Sequence, residues 1–108
     1  MANKTTGKKA KTAQSSDQKN TEPYLFDFYG EECPPCRHMH PLVDQLEKEH
    51  KVKVARLEVW HNEENLELLQ SVDKGMCGGV PFFFNKKTSK WICGATSYEN
   101  LVAWAKGE

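Results

Sequence analysis

Residues 26–41 read FDFYGEECPPCRHMHP. An aromatic run holding one acid ends at Gly30; two cysteines follow, with prolines between them and histidines after. Three chemistries fit cysteines so spaced: a redox dithiol, a pair of metal ligands, or a turn whose thiols do nothing. Their position in the chain bears on the choice. Residues 24–29 are short, apolar and aromatic, the mark of a buried strand. Beyond the cysteines, Met39, Leu42, Val43 and Leu46 recur at the spacing of one helix face, with a kink expected at Pro41. Cys33 and Cys36 therefore stand where a strand gives way to a helix.

That junction has its own chemistry. Unpaired backbone amides and the positive end of the helix dipole favour thiolate over thiol. Cys33, ahead of the helix and able to face solvent, is expected to attack; Cys36, one turn in, is expected to resolve the mixed disulfide. Pro34 suits the first helical position, where its missing amide has no helical partner in any case. Pro34 and Pro35 also withhold two donors from the Cys33 sulfur, leaving only the Cys36 amide nearby. The Cys33 pKa should fall below that of a free thiol, though less than in a donor-rich loop.

Outward from this stretch the elements alternate. Residues 52–59 (VKVARLEV) alternate and are β-branched, a second strand. Asn62 begins a helix lined by Leu66, Leu69 and Val72 and closed by Gly75. Residues 80–85 and 90–93 read as an antiparallel hairpin, and Ser97 caps a last helix carrying Leu101, Val102, Trp104 and Ala105 inward. The order β-α-β-α-β-β-α predicts an α/β fold. Its first β-α-β is a right-handed parallel crossover, and helices cover both faces of a four-stranded mixed sheet. The cysteines then lie past the C-terminal end of a strand, where open α/β sheets carry their ligand chemistry.

A chain of 108 residues holds one domain at most. Its mean hydropathy of −0.73 looks poor for a core, but residues 1–20 contain no Val, Ile, Leu, Phe, Tyr or Trp. Such a segment cannot offset its ordering entropy. Residues 1–21 are therefore expected to form a disordered basic tail and residues 22–108 the folded domain. The overall charge of zero conceals +4 on residues 1–20 and −4 on the rest. The scattered lysines are read as solubilising, with no nucleic-acid partner, and the Phe82–Phe84 run lacks the interleaved bases of a stacking platform.

No apolar run suits a membrane span or export signal, so no membrane partner is expected. With no such signal, reduced thiols of catalytic or metal role are expected, in an intracellular and by preference cytoplasmic setting, an organelle remaining open. His38 and His40 after the cysteines superficially suggest zinc, but two residues apart they face different sides of one helix, and surface histidines are the reading preferred. Cys77 and Cys93 both fall near Pro81 on this topology. The preferred reading makes Cys93 a buried strand thiol and Cys77 a loop thiol; a second disulfide and a four-thiolate metal or cluster site are the alternatives. Asp27, an acid within an apolar run beside a dithiol, is read as a buried functional carboxylate.

The stretch FDFYGEECPPCRHMHP resembles the active-site segment of the thioredoxin superfamily. GGVPFFFN (78–85) resembles that family's cis-proline loop and following strand, and Gly94 its late glycine. The resemblance implies a thioredoxin-like three-layer sandwich. It makes Cys33 and Cys36 the redox pair, Asp27 the acceptor of the Cys36 proton, Pro81 the cis-proline beside the sulfurs, and Val80 a source of backbone contacts to substrate, with Pro34 and Pro35 at the docking surface. Arg56 stands where the family has a lysine near that aspartate. The sequence departs in carrying Glu32 for the usual tryptophan, Pro-Pro for Gly-Pro, and a polar tail for the family's opening strand and helix. The expected function is a thiol–disulfide oxidoreductase reducing protein disulfides, monomeric, without metal or cofactor, and fed by an upstream reductase or glutathione. A glutathione-linked glutaredoxin-like enzyme and a metal-, cluster- or substrate-docking module are its rivals.

Overall fold

The computed structural model describes residues 23–108. The expected tail lies outside the described residues. Strand β1 (Leu25–Tyr29) leads to helix α1 (Pro34–His50), then β2 (Val54–Glu58), α2 (Glu63–Asp73), β3 (Phe82–Asn85), β4 (Trp91–Cys93) and α3 (Tyr98–Lys106). The sheet order is β2-β1-β3-β4. β1 pairs parallel with β2 and antiparallel with β3, and β3 pairs antiparallel with β4.

Alternation along the interior strands divides the core. Leu25 and Phe83 face α1 and α3, where Met39, Val43, Leu46, Leu101 and Trp104 close the first cluster. Phe28 and Phe82 face the other way and pack with Val59 and Leu69 near α2. A strand with apolar partners on both faces must be an interior one, which is why β1 and β3 are the aromatic strands.

Local signals set the ends of the helices. Asn62 and Ser97 cap α2 and α3, accepting from the amides of Asn65 at 3.0 Å and Asn100 at 3.2 Å. α2 stops at Lys74, left-handed at φ 53°, one residue before Gly75. α1 runs through Pro41; the amide that proline lacks leaves the carbonyl of Arg37, an exposed residue, without its usual helical donor.

One feature was not foreseen, and a second replaces the preferred reading of two thiols with one of its alternatives. Asn85 is 1% exposed, yet every polar group of its side chain is used. Its Oδ1 accepts from the Lys87 and Thr88 amides, and its Nδ2 donates to the Trp104 and Ala105 carbonyls. One side chain thus fastens the hairpin turn to the end of α3. The second feature is a correction. Cys77 and Cys93 are joined in a disulfide, and Cys93 is exposed rather than buried. β4 is a three-residue edge strand whose Trp91 and Cys93 both lie open, so alternation does not bury them.

Asn85→Ala removes four hydrogen bonds at a closed site and is expected to cost about 3 kcal/mol, read as a lower urea midpoint. A loss below about 0.5 kcal/mol, the range of ordinary surface changes, would mean that turn and helix hold together without it.

Candidate active site

Two short loops meet beyond the C-terminal ends of β1 and β2, and one carboxylate organises both. Glu58, the last residue of β2, accepts from the amide of Glu31 at 3.0 Å, of Trp60 at 3.2 Å and of His61 at 2.8 Å. Desolvation pushes its carboxyl up, but the three amides together outweigh that and hold it below the usual carboxylate range. The Trp60 indole lies over Gly30, where any Cβ would run into it. His61 Nε2 meets both carboxylate oxygens of Glu32, at 2.8 and 2.9 Å, and that contact raises the His61 pKa.

Within this rim Cys33 is the N-cap of α1, with Pro34 and Pro35 at the first two helical positions. Its sulfur accepts from the Cys36 amide at 3.3 Å and lies 3.9 Å from the Val80 carbonyl oxygen. The first turn carries no acid to oppose a thiolate. Cys33 and Cys36 are joined in a disulfide. The sequence placed Cys33 toward solvent; in the oxidised pair it is 3% exposed and Cys36 1%, so exposure does not separate them. Position does. Cys33 precedes the helix among exposed Glu31, Glu32, Pro34 and Pro35, whereas Cys36 points with Met39 toward the core.

The Val80–Pro81 bond is cis, and the Val80 carbonyl against Cys33 brings that loop to the dithiol. A cleft of about 350 Å³ opens beside it, lined among others by Val59, Trp60, Leu66, Leu69 and Val80.

Asp27 sits on β1 beneath α1, level with Arg56 on β2 and Phe83 on β3. It is 1% exposed, and its Oδ2 has no hydrogen-bond partner. Burial pushes its pKa to about 7; the Arg56 charge pulls the other way and Glu47 adds to the rise. Arg56 is committed elsewhere, to Asp44 at 2.6 Å and Glu47 at 2.9 Å. It therefore acts on Asp27 as a field and not as a partner. His38 is exposed, while His40 is half-buried edge-on to Tyr29. The one cluster of potential metal ligands among the described residues is Glu31, Glu32 and His61, all exposed.

The thioredoxin family pattern matches residues 5–107. The chain belongs to the thioredoxin family. A thioredoxin of Rickettsia bellii is 30% identical over 88 residues, covering 80% of this chain and 81% of that one. Among solved structures, a mutant thioredoxin from Halobacterium salinarum NRC-1 superposes with a TM-score of 0.60 at 27% identity, over 76% of this chain and 70% of that one. A glutaredoxin from Archaeoglobus fulgidus, at 17% identity and TM-score 0.56 over 79% of this chain and 88% of that one, shares the fold alone. This thioredoxin-family chain is a protein-disulfide oxidoreductase. Disulfide-bearing proteins are its kind of partner. No helix among the described residues is long and apolar enough to cross a membrane.

Of the residues singled out in the sequence, Cys33, Cys36, Pro34, Pro35, Val80 and Pro81 meet where the α1 N-terminus reaches the cis-proline loop, and Asp27 lies buried mid-strand in β1, two residues before its end. Glu58, which builds the rim of this site together with Trp60, was missed. Glu58 ends a strand like any surface acid, and nothing in its neighbours marks the three amides it collects.

The Asp27 shift has a sign. A carboxyl near 3.8 when unfolded and about 7 when folded binds its proton more readily in the folded chain. Below pH ~4 both states are protonated and nothing is lost. Between ~4 and ~7 only the unfolded state ionises, and above that the full penalty stands, roughly 4 kcal/mol. Asp27→Ala is therefore expected to gain stability over the wild type as pH rises through that window and to keep the gain above it. Urea unfolding across the range checks this; a difference flat with pH would contradict it. Pro34→Gly restores an amide near the Cys33 sulfur and should lower the Cys33 pKa, measured by the pH dependence of alkylation. An unchanged or higher value would mean that the missing donors do not set this thiol.

Proposed function

We propose that the chain reduces protein disulfides, with Cys33 as nucleophile, Cys36 as resolving thiol and Asp27 as the base that serves it. The observation carrying this reading is the Cys33 sulfur at the N-cap of α1, bonded by the Cys36 amide. The same amide and helix end that hold this sulfur in the disulfide would stabilise its thiolate once reduced.

In the reduced protein the Cys33 thiolate attacks one sulfur of a substrate disulfide. A mixed disulfide forms on Cys33, and the substrate's other sulfur leaves as a thiolate and takes up a proton. Cys36 then gives its proton to Asp27 and attacks the Cys33 sulfur. The mixed disulfide breaks, the Cys33–Cys36 disulfide closes, and the substrate's second sulfur leaves as a thiolate that takes up the proton given back by Asp27, so the substrate departs with two thiols. Two electrons have passed from the dithiol to the substrate. A carboxylate with a pKa of about 7 is matched to taking a proton near neutral pH. The Val80 and Pro81 backbone, level with Cys33, would align an extended substrate segment beside the sulfur, with Pro34 and Pro35 on the opposite rim. An upstream dithiol reductase or glutathione would restore the pair.

The roles are separable by mutation. Cys33→Ser is expected to abolish reduction of a protein disulfide such as insulin. Cys36→Ser is expected to form the mixed disulfide at the wild-type rate and accumulate it, visible as an added mass on Cys33. Full turnover by Cys36→Ser with no trapped species would sink the assignment and favour a single-thiol, glutathione-linked route.

A further inference from the structure

The Cys77–Cys93 disulfide takes no part in the exchange above, yet it brackets the segment that carries Val80 and Pro81. Cys77 opens the run Cys77-Gly78-Gly79-Val80-Pro81, and Cys93 ends β4 level with Phe82, the residue after Pro81. The next amide, of Gly94, donates to the Pro81 carbonyl at 2.8 Å. Disulfide and hydrogen bond thus hold the two sides of the Val80–Pro81 unit to the same edge strand.

The segment has little else to hold it. Gly75, Gly78 and Gly79 supply half of residues 74–79, with Gly75 at φ 79° and Gly78 at φ 77°. A Cβ built at any of the three meets nothing within 4 Å, so packing holds the run only at Cys77 and Val80, which lie against the cluster of Phe28, Val59, Leu69 and Phe82. Glycine chain of this kind is costly to order. Apart from the Met76 amide on the Asp73 carbonyl, one other anchor stands out. The buried Asp73 carboxylate accepts from the Cys77 amide at 2.6 Å and the Gly78 amide at 3.0 Å. That anchor ties the run to α2, and the disulfide ties it to the sheet. Cys93 is exposed and Cys77 half-buried, so the bridge can be reached from solution.

We propose that Cys77–Cys93 is a positioning disulfide for substrate docking: it holds the Val80 backbone at the edge where a substrate chain lies, and a protein dithiol that reduces it releases that edge. The inference rests on the reading of Val80 and Pro81 as docking residues. In the reduction, one thiolate of the attacking dithiol bonds to a sulfur of the bridge and the Cys77–Cys93 bond breaks. The second thiol of the attacker then displaces that sulfur. Two electrons pass to the bridge, the attacker leaves as a disulfide, and Cys77 and Cys93 become thiols. Protein disulfides, which need the docking edge, should then bind less well, while small disulfides that need only the Cys33 sulfur should react as before.

The test compares the wild-type chain with Cys77→Ala/Cys93→Ala, each with Cys33 and Cys36 reduced and freed of reductant. Single turnovers are followed with insulin and with 5,5′-dithiobis(2-nitrobenzoate). The half-saturating insulin concentration is expected to rise roughly tenfold, the effect of losing one good hydrogen bond. The saturated rate and the rate with the aryl disulfide should not change. Unaltered half-saturation, or an equal loss with both disulfides, would overturn the proposal. Should the double variant not fold, wild-type protein brought to two thiols and then to four is compared for insulin half-saturation, and its reaction with the aryl disulfide is read from the adduct on Cys33 alone, because freed Cys77 and Cys93 also react with that reagent. Amide hydrogen exchange at Gly78 to Val80 supplies a readout independent of activity. Faster exchange with four thiols supports the proposal, and equal exchange in the two forms overturns it alone. Wild type that reduces the aryl disulfide but not insulin overturns the docking reading and this inference together.

Discussion

The sulfur of Cys33 completes the first turn of α1, and the rest of the site is arranged around that contact. A helix N-terminus leaves amides without partners, and here one of them, on Cys36, bonds to sulfur in place of the usual oxygen. The two prolines narrow the choice further, since neither can donate. One donor and the end of a seventeen-residue helix thus act on a single atom. β1 delivers that atom to its place, being paired on both sides and packed on both faces, so the turn that follows it has little freedom. Gly30 under the Trp60 indole and Glu31 on the Glu58 carboxylate then fix the turn.

The same strand carries the least comfortable group in the molecule. Asp27 is closed off from solvent with one oxygen unpaired, an arrangement that a purely structural residue would not favour. Arg56 lies level with it on β2 but bonds to Asp44 and Glu47. A direct ion pair would have drawn the Asp27 pKa down and removed its capacity to take a proton near neutrality. Stability is given up at Asp27, and under the proposed mechanism that cost is offset by a base tuned to that range.

Much of this was legible in the sequence, and for stated reasons. The aromatic run 24–29, the helical spacing after Cys36 and the caps Asn62 and Ser97 are local signals, and the elements they predict lie within two residues of those observed. The burial of Asp27 was legible because it lies within an apolar strand bound for the core. What escaped depended on contacts between distant segments. Cys77 and Cys93, sixteen residues apart, are brought together by the β3–β4 register. The exposure of Cys93 follows from β4 being an edge. Glu58 and Asn85 are ordinary strand-end residues until the loops around them are placed. Trp60 puts an aromatic ring on the rim from the β2–α2 loop, where Glu32 stands in the family's usual tryptophan position.

On the proposed mechanism the helix cap makes Cys33, and not Cys36, the thiolate of this dithiol. The direct measurement is residue-resolved alkylation of the reduced wild-type protein by iodoacetamide as a function of pH, with the modified cysteine identified by peptide mass. Cys33 is expected to be alkylated first, with an apparent pKa below the free-thiol value of about 8.5, while Cys36 reacts only at higher pH. Alkylation of both at the free-thiol value, or of Cys36 ahead of Cys33, would contradict it.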